Sequence, residues 1–332
     1  MKRIAHIGLL VFIFHFSFFI FGCEKIIDIS EDPSKQQLVL NAVPIAGQRA
    51  FVYFAHTRFF LDASNDQPFD EPATVTLYVN GTPYTPDSVA YCKYFFPYTY
   101  AEGDSLEVVA TVGDRVAHAR TYIPKTPTFS NVQLVNNAFG STFRYYLADF
   151  DFQDHADERE YYSLAVAVRD SGVRYNEWEQ RFDTVDTVHV SYFMLRSNPE
   201  ITGDASYTVP MLGYLYTRNL FNDGAIDGRN YHVAMRILNL IDTNEVQPFK
   251  HEYTVSLESL TFARLRYLID VSRQGGGFSF FAEQGQVRGN VEGAQGIFAG
   301  CARSKIVFWP DTLAVSKKAL EPLPEEVRRA LK

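Results

Sequence analysis

From Gln37 onward the chain is built of short runs in which apolar and polar residues alternate, separated by turn residues. Leu38 to Val43 and Ala50 to Thr57 have the length and composition of strands. Ala73 to Val79 sets Val75, Leu77 and Val79 against Thr74, Thr76 and Tyr78, a period of two that turns one face to a core and the other to water. Asn80-Gly81 follows at once, and both residues tolerate the positive φ that a type I′ hairpin turn requires. A second hairpin runs from Ser105 through Gly113-Asp114 to Ile123, with Gly113 placed for a type II′ turn. Six or seven strands in this space predict an immunoglobulin-like β-sandwich over 37–125, and Pro124 and Pro127 mark its end.

The region 128–310 is also β-rich, with longer strands at Thr142 to Phe152, Glu160 to Arg169, Asp186 to Leu195, Ser206 to Thr217 and Tyr231 to Ile241, and a last one at Ser304 to Trp309. One stretch changes period. Leu257, Leu260, Phe262, Leu265, Leu268, Ile269 and Val271 return at intervals of three and four, with Ser256 as N-cap, Glu258 in the first turn and Gly275 beyond the end. This predicts a helix over 256–274, lying across a face or open end of the second sheet. The expected fold class is therefore mainly β, an N-terminal sandwich followed by a larger β-rich domain with one α-helix. Residues 311–332 form a tail.

The N-terminus is patterned differently. Lys2 and Arg3 precede an almost wholly apolar run from Ile4 to Gly22, which reads as an export signal over 1–22. It ends in Ile20-Phe21-Gly22-Cys23, a lipobox in which a small residue precedes the thiol that takes a diacylglycerol group. Cys23 is the expected lipidation site, with 23–36 as a tether and the lipid bilayer as a partner. An uncleaved transmembrane anchor competes with this reading, because a run of about 20 apolar residues can span a bilayer, as does a cleaved and unlipidated secreted form.

Composition narrows the rest. At 332 residues, with 46% hydrophobic and 21% charged positions, the chain can bury enough apolar surface to order itself. Its net charge of -8 becomes -10 without residues 1–22, which excludes a charge-driven hold on nucleic acid. Cys92 and Cys301 are the cysteines left after Cys23. In an oxidising envelope they either form a disulfide or stay as two buried thiols, and spacing does not decide between them.

Four clusters invite chemistry. Tyr91, Tyr94, Phe95, Phe96, Tyr98 and Tyr100 crowd around Pro97. Exposed, such rings stack on sugars or apolar peptide; alternating across a strand, half of them are core. The segment 275–300 holds eight of the 20 glycines, interleaved with Phe278, Phe280 and Phe281. It lacks the Gly-Lys-Ser/Thr ending of a phosphate loop and follows a helix where such a loop precedes one, so it reads as backbone packed closely on a sheet, or as a ligand-contacting loop. Asp149, Asp151, Gln153, Asp157 and Glu160 match five oxygen positions of a calcium loop. Asp154 stands where that loop needs glycine, and the flanks are β-like, so a solvated acidic hairpin is the competing reading. His251-Glu252 lacks the second histidine of a zinc hydrolase, and no serine or cysteine nucleophile motif is present. No cofactor is implied and a non-enzymatic role is expected.

The mature chain resembles the domain of unknown function 4249 family of outer-membrane lipoproteins of Bacteroidota. The resemblance is carried by Cys23 with Ile27-Asp28, Leu38-Val39-Leu40-Asn41, Glu160-Tyr161-Tyr162, and Phe221-Asn222-Asp223 running to Gly228 and Tyr231. It is strongest in the Leu257-to-Tyr267 segment, Phe281-Ala282-Glu283, Gly289-Asn290-Val291-Glu292-Gly293 and Gly296-Ile297-Phe298. Ala294-Gln295 departs from the family's tighter glycine spacing. The resemblance implies an outer-membrane location, on either the periplasmic or the surface side, and an accessory role beside a TonB-dependent receptor in nutrient or peptide capture. It supplies no catalytic residues. A surface hydrolase acting on glycan or peptide through dispersed carboxylates is the alternative.

Overall fold

Alternation in the first third of the chain becomes two facing sheets. The computed structural model describes residues 36–57, 69, 71–137, 144–156, 159–176, 178–196, 198–201, 205–208, 216–239, 245–275 and 287–310. Cys23, the export signal, the tether as far as residue 35, Asp157, Phe278, Phe280 and the tail lie outside them. Among the described residues no helix is long and apolar enough to cross a bilayer.

In chain order the first strands are β1 (Leu38–Ala42), β2 (Arg49–His56), β3 (Ala73–Val79), β4 (Thr82–Tyr84), β5 (Ser88–Ala90), β6 (Lys93–Thr99), β7 (Ser105–Val112) and β8 (Arg115–Tyr122). Then come β9 (Phe129–Asn137), β10 (Arg144–Gln153), β11 (Tyr161–Asn176), β12 (Arg181–Val190), β13 (Phe193–Leu195), β14 (Ala205–Thr208), β15 (Tyr216–Asn222), β16 (Asn230–Asn239) and β17 (Glu245–Leu260). A helix, α1 (Phe262–Gly275), and two strands, β18 (Gln295–Phe298) and β19 (Cys301–Phe308), follow. Among the described residues the protein is mainly β, with antiparallel sheets and one α-helix.

A four-stranded sheet, β4-β3-β7-β8, and a five-stranded sheet, β18-β1-β2-β6-β5, share one core. Leu40, Val52, Phe54 and Phe96 come from the larger sheet and Leu77 and Val108 from the smaller, all fully buried. Burying each such side chain contributes about 1.5–3 kcal/mol. Asn80 and Gly81 turn at φ 50° and 81°, the left-handed pair that a type I′ turn demands, and Gly113 turns at 58°.

The strand at one edge of the larger sheet comes from the far end of the chain. β18 pairs in parallel with β1, and Phe298 and Ala302 enter the sandwich core. Glu292 exchanges both backbone hydrogen bonds with His118, and the Asn290 side chain bonds both the N–H and the carbonyl of Phe298 at 2.8 Å. The glycines of this return are required by closeness. A Cβ on Gly296, at φ 123°, would sit 2.1 Å from the Leu40 carbonyl oxygen. The glycine-rich stretch, where it is described, is thus backbone packed on sheet, and the sandwich draws on residues well beyond 125.

The third sheet has ten strands in the order β19-β17-β11-β15-β13-β16-β10-β9, with β12 paired to β11 and β14 to β15, antiparallel throughout. Its inner face buries Phe150, Phe152, Tyr162, Leu164, Phe193, Met235 and Leu257. Tyr146 of β10 meets Tyr253 of β17 at 5.0 Å and Phe308 of β19 at 6.0 Å between ring centroids, although these strands lie near opposite ends of the sheet. The sheet therefore curls so that one face encloses its own core.

The helix starts later than its periodicity suggests. Ser256 to Leu260 belong to β17, and the first helical bond runs from Leu265 N–H to the Thr261 carbonyl. Here a central strand is buried on both faces, with Leu257, Glu258, Ser259 and Leu260 all enclosed, so its apolar residues run into those of the helix and mimic one continuous period. Leu265, Leu268 and Ile269 of α1 pack with Leu220, Leu260 and Cys301 on the outer face of the ten-stranded sheet.

Candidate functional site

Two turns meet at one end of the ten-stranded sheet, one joining β10 to β11 and one joining β15 to β16. Each carries acidic residues, and their meeting buries three of them, with Asp154 1%, Asp223 4% and Glu160 7% exposed. The backbone holds them in place. Asp154 N–H donates to the Arg229 carbonyl, Gly228 N–H donates to Asp154 Oδ2 at 2.8 Å, and Glu160 N–H donates to Asp223 Oδ2 at 2.6 Å.

At the centre stands Tyr162, fully buried, stacked on Phe221 at 5.3 Å and against the edge of Phe152. Its hydroxyl lies 2.6 Å from Asp154 Oδ1 and 2.6 Å from Glu160 Oε2. A phenol has one proton to give, so the second contact is a hydrogen bond only if a carboxyl carries a proton and donates it to the phenol oxygen. Burial, with the like charges of Glu160 and Asp223, pushes the Asp154 carboxyl up to about 6, against the opposing pull of Tyr162 and Gly228. The Tyr162 hydroxyl is raised well above the usual phenol range by burial and by its two carboxyl neighbours. His155 completes the group, its Nδ1 3.0 Å from Glu160 Oε2.

Oxygens of Asp154, Asp223 and the exposed Asp227 lie within 4.8 Å of one another, a separation that a hard cation such as calcium accepts. The donor set differs from the calcium template read along the sequence. Asp149 and Asp151 sit in regular strand β10, where a straight strand cannot wrap successive carboxylates around one ion. Asp149 faces Arg196 at 3.5 Å, and Asp151 accepts from Asn131 at 2.6 Å and pairs with His232 at 2.7 Å. Of the described carboxylates of that set, Glu160 joins the cluster and Asp149 and Asp151 do not. Asp154, the residue that broke the template, is its centre, and Asp223 and Asp227 come from a distant turn that is visible in sequence only as Asn222-Asp223-Gly224 and Asp227-Gly228.

The aromatic row divides across β6. Tyr94 and Phe96 are buried in the sandwich core and unable to meet a ligand, a correction that follows from strand alternation. Phe95, on the other face, packs with Phe51 at 5.9 Å beneath the Arg49 guanidinium. Tyr98 is half-buried, donating to Asp104 at 2.7 Å, while Tyr91 at the β5–β6 turn is 78% exposed. Cys92 and Cys301 are buried thiols that are not joined, Cys92 in the same turn and Cys301 at the start of β19 under α1, so the disulfide alternative is not realised. Burial, and next the charge of Glu258, pushes the Cys301 thiol up to about 12.

A second surface feature escaped the sequence reading. β11 runs on to Asn176 and returns as β12, a long hairpin whose turn displays Trp178, 96% exposed. Phe182, Val188 and Val190 are also more than half exposed along β12. The pattern Val173-Arg174-Tyr175 was the signal for the longer strand, and Asn176 Oδ1 fixes the turn by accepting from the N–H groups of Trp178 and Glu179.

The family model described as Domain of unknown function (DUF4249) matches residues 24–306, which span both the buried carboxylates and the return of β18 to β1. No curated protein and no solved structure matches the chain.

Proposed function

Because the chain belongs to the DUF4249 family, we propose that it acts in the bacterial envelope as a non-enzymatic binding or accessory component. In this reading it is anchored to the outer membrane through acylated Cys23 and partners a TonB-dependent receptor in nutrient or peptide capture. The observation that carries it is the β11–β12 hairpin. Trp178, Phe182, Val188 and Val190 hold apolar surface in water along one projecting element, the kind of surface that pays off only when a partner covers it. The lipobox supports the anchor and the net charge argues against a nucleic-acid partner.

Affinity purification from detergent-solubilised envelopes tests the reading. Recovery of a TonB-dependent receptor in near-equal amount is expected, together with an N-terminal peptide whose mass shows acyl groups on Cys23. A monomer that brings no receptor and cleaves envelope polymers would overturn it.

One observation favours the hydrolase alternative, namely an Asp154 carboxyl raised to about 6 beside Glu160, as a general acid requires. Against it, both Asp154 oxygens are engaged within the protein, by the Tyr162 hydroxyl and the Gly228 N–H. Loss of polymer cleavage in an otherwise folded Asp154→Asn variant would establish it.

A further inference from the structure

The outer face of the ten-stranded sheet carries a second group of charges, beside α1 and apart from the carboxylate cluster. Cross-strand register places Arg303, Glu258 and Ser163 side by side on β19, β17 and β11. Glu258 is 4% exposed. Its Oε1 accepts from Arg303 Nε at 2.5 Å, and its Oε2 from Arg218 Nη1 at 3.1 Å. The same Arg218 nitrogen donates to Ser163 Oγ at 2.5 Å.

Arg264 joins them from the first turn of α1. It interacts electrostatically with Glu258, Cys301 and Arg218, and its Nε is buried without a hydrogen-bond partner. Two guanidinium groups are therefore bonded to one carboxylate, and a third stands near enough to act on it through its charge. Burial, with the repulsion of Arg218, lowers the Arg264 pKa from the usual arginine range, yet arginine stays charged at any working pH. An excess of enclosed positive charge is costly unless an anion answers it.

The surface next to this group has room for one. In the neighbouring row, register sets Lys305, Ser256, Ala165 and Arg218 across the sheet. Ser256 and Ala165 are small and half-buried, Lys305 is exposed, and the Arg218 and Arg303 side chains are 30% and 27% exposed. The result is a low floor with cationic groups on both sides and a forked guanidinium within reach of water.

We propose that Arg218 and Arg303, with the charge of Arg264 behind them, form a binding site for a compact oxyanion, the carboxylate or phosphate group of a small molecule seated over Ala165 and Ser256. Guanidinium forks match both groups by paired hydrogen bonds, and a bound oxyanion answers the positive charge that Glu258 alone leaves over. This goes beyond the receptor-partner reading and does not depend on it.

Thermal unfolding of the full chain tests the site, with inorganic phosphate and acetate titrated separately against sodium chloride at matched ionic strength. Phosphate, acetate or both should raise Tm, by about 3 °C at roughly tenfold excess over Kd and further with the logarithm of concentration, and the arm that responds identifies the oxyanion. Arg264→Met should lose the rise while melting no lower than the parent in chloride alone. Arg218→Lys keeps the charge without the fork and serves as a second variant, with affinity expected to fall at least fivefold. An equal rise with chloride, no rise with either oxyanion, or an undiminished response in both variants overturns the proposal.

Discussion

The Tyr162 hydroxyl lies 2.6 Å from an oxygen of Asp154 and equally close to one of Glu160, so a buried phenol and two carboxyls share fewer protons than their contacts call for. The group is at its most comfortable with one carboxyl protonated, and that makes the fold sensitive to pH.

Asp154 has a folded pKa raised from 3.8 to about 6, so the folded state binds its proton more tightly than the unfolded chain. Its own contribution to stability should be full below about pH 4, fall by on the order of 3 kcal/mol as pH rises to 6, and be gone above that. Urea unfolding at half-unit pH steps measures this. Asp154→Asn should flatten the slope between pH 4 and 6, and an unchanged slope would show that the proton resides elsewhere.

Glu258 works in the opposite direction. Despite the cost of burial, Arg303 and Arg218 hold its carboxyl below the ordinary glutamate value. Its stabilisation is present above the unfolded glutamate pKa and is lost as pH falls through the folded one. Glu258→Gln should therefore cost stability at pH 7 and remove part of the acid-limb decline. The two windows meet near pH 4, so the parent should show a maximum close to that pH, seen in the same urea series.

Gly296→Ala should destabilise by about 2 kcal/mol or more, because the added carbon would meet the Leu40 carbonyl and the backbone sits at positive φ. Gly47→Ala provides a contrast. Its φ is also positive, yet nothing lies within 4 Å of its Cβ position, so only the conformational cost of about 1 kcal/mol applies. Chemical denaturation of the two variants separates crowding from backbone strain.

Cys301, buried and with its thiol pushed up to about 12, should resist alkylation at pH 8 in the native protein and react on unfolding. Mass spectrometry of iodoacetamide-treated protein, with and without urea, reads this directly. Rapid native labelling would show that α1 lifts from the sheet.

Trp178→Ala should leave Tm within about 1 °C, since an exposed side chain contributes little to folding. The same variant should recover much less receptor from solubilised envelopes. Full recovery would remove the hairpin from the proposed interface.

What sequence revealed here was what neighbouring residues decide among themselves. Ala73–Val79 and Asn80-Gly81 were legible because alternation and a left-handed turn are local, and Leu265, Leu268 and Ile269 announced a helix by spacing alone. The onset of that helix was obscured because β17 is enclosed on both faces, so period two disappears just where the helical period begins. The carboxylate site was half visible. Glu160 stood in an acidic run, but Asp223 and Asp227 reach it from another turn, and no linear template joins turns so far apart. The split of Tyr94 and Phe96 from Phe95 followed ordinary strand alternation and was one of the two readings their spacing allowed.

β18 seats Ile297 against Asn41 across 256 residues of chain. A chain emerging in order therefore makes the hydrogen-bonding edge of β1 early and its partner only near the end of synthesis. Until then that edge is an open template for any passing strand. Completion of the sandwich works as a check on length: a product truncated before Gln295 keeps every residue of β1 to β8 yet presents a sticky margin, while the whole chain closes it.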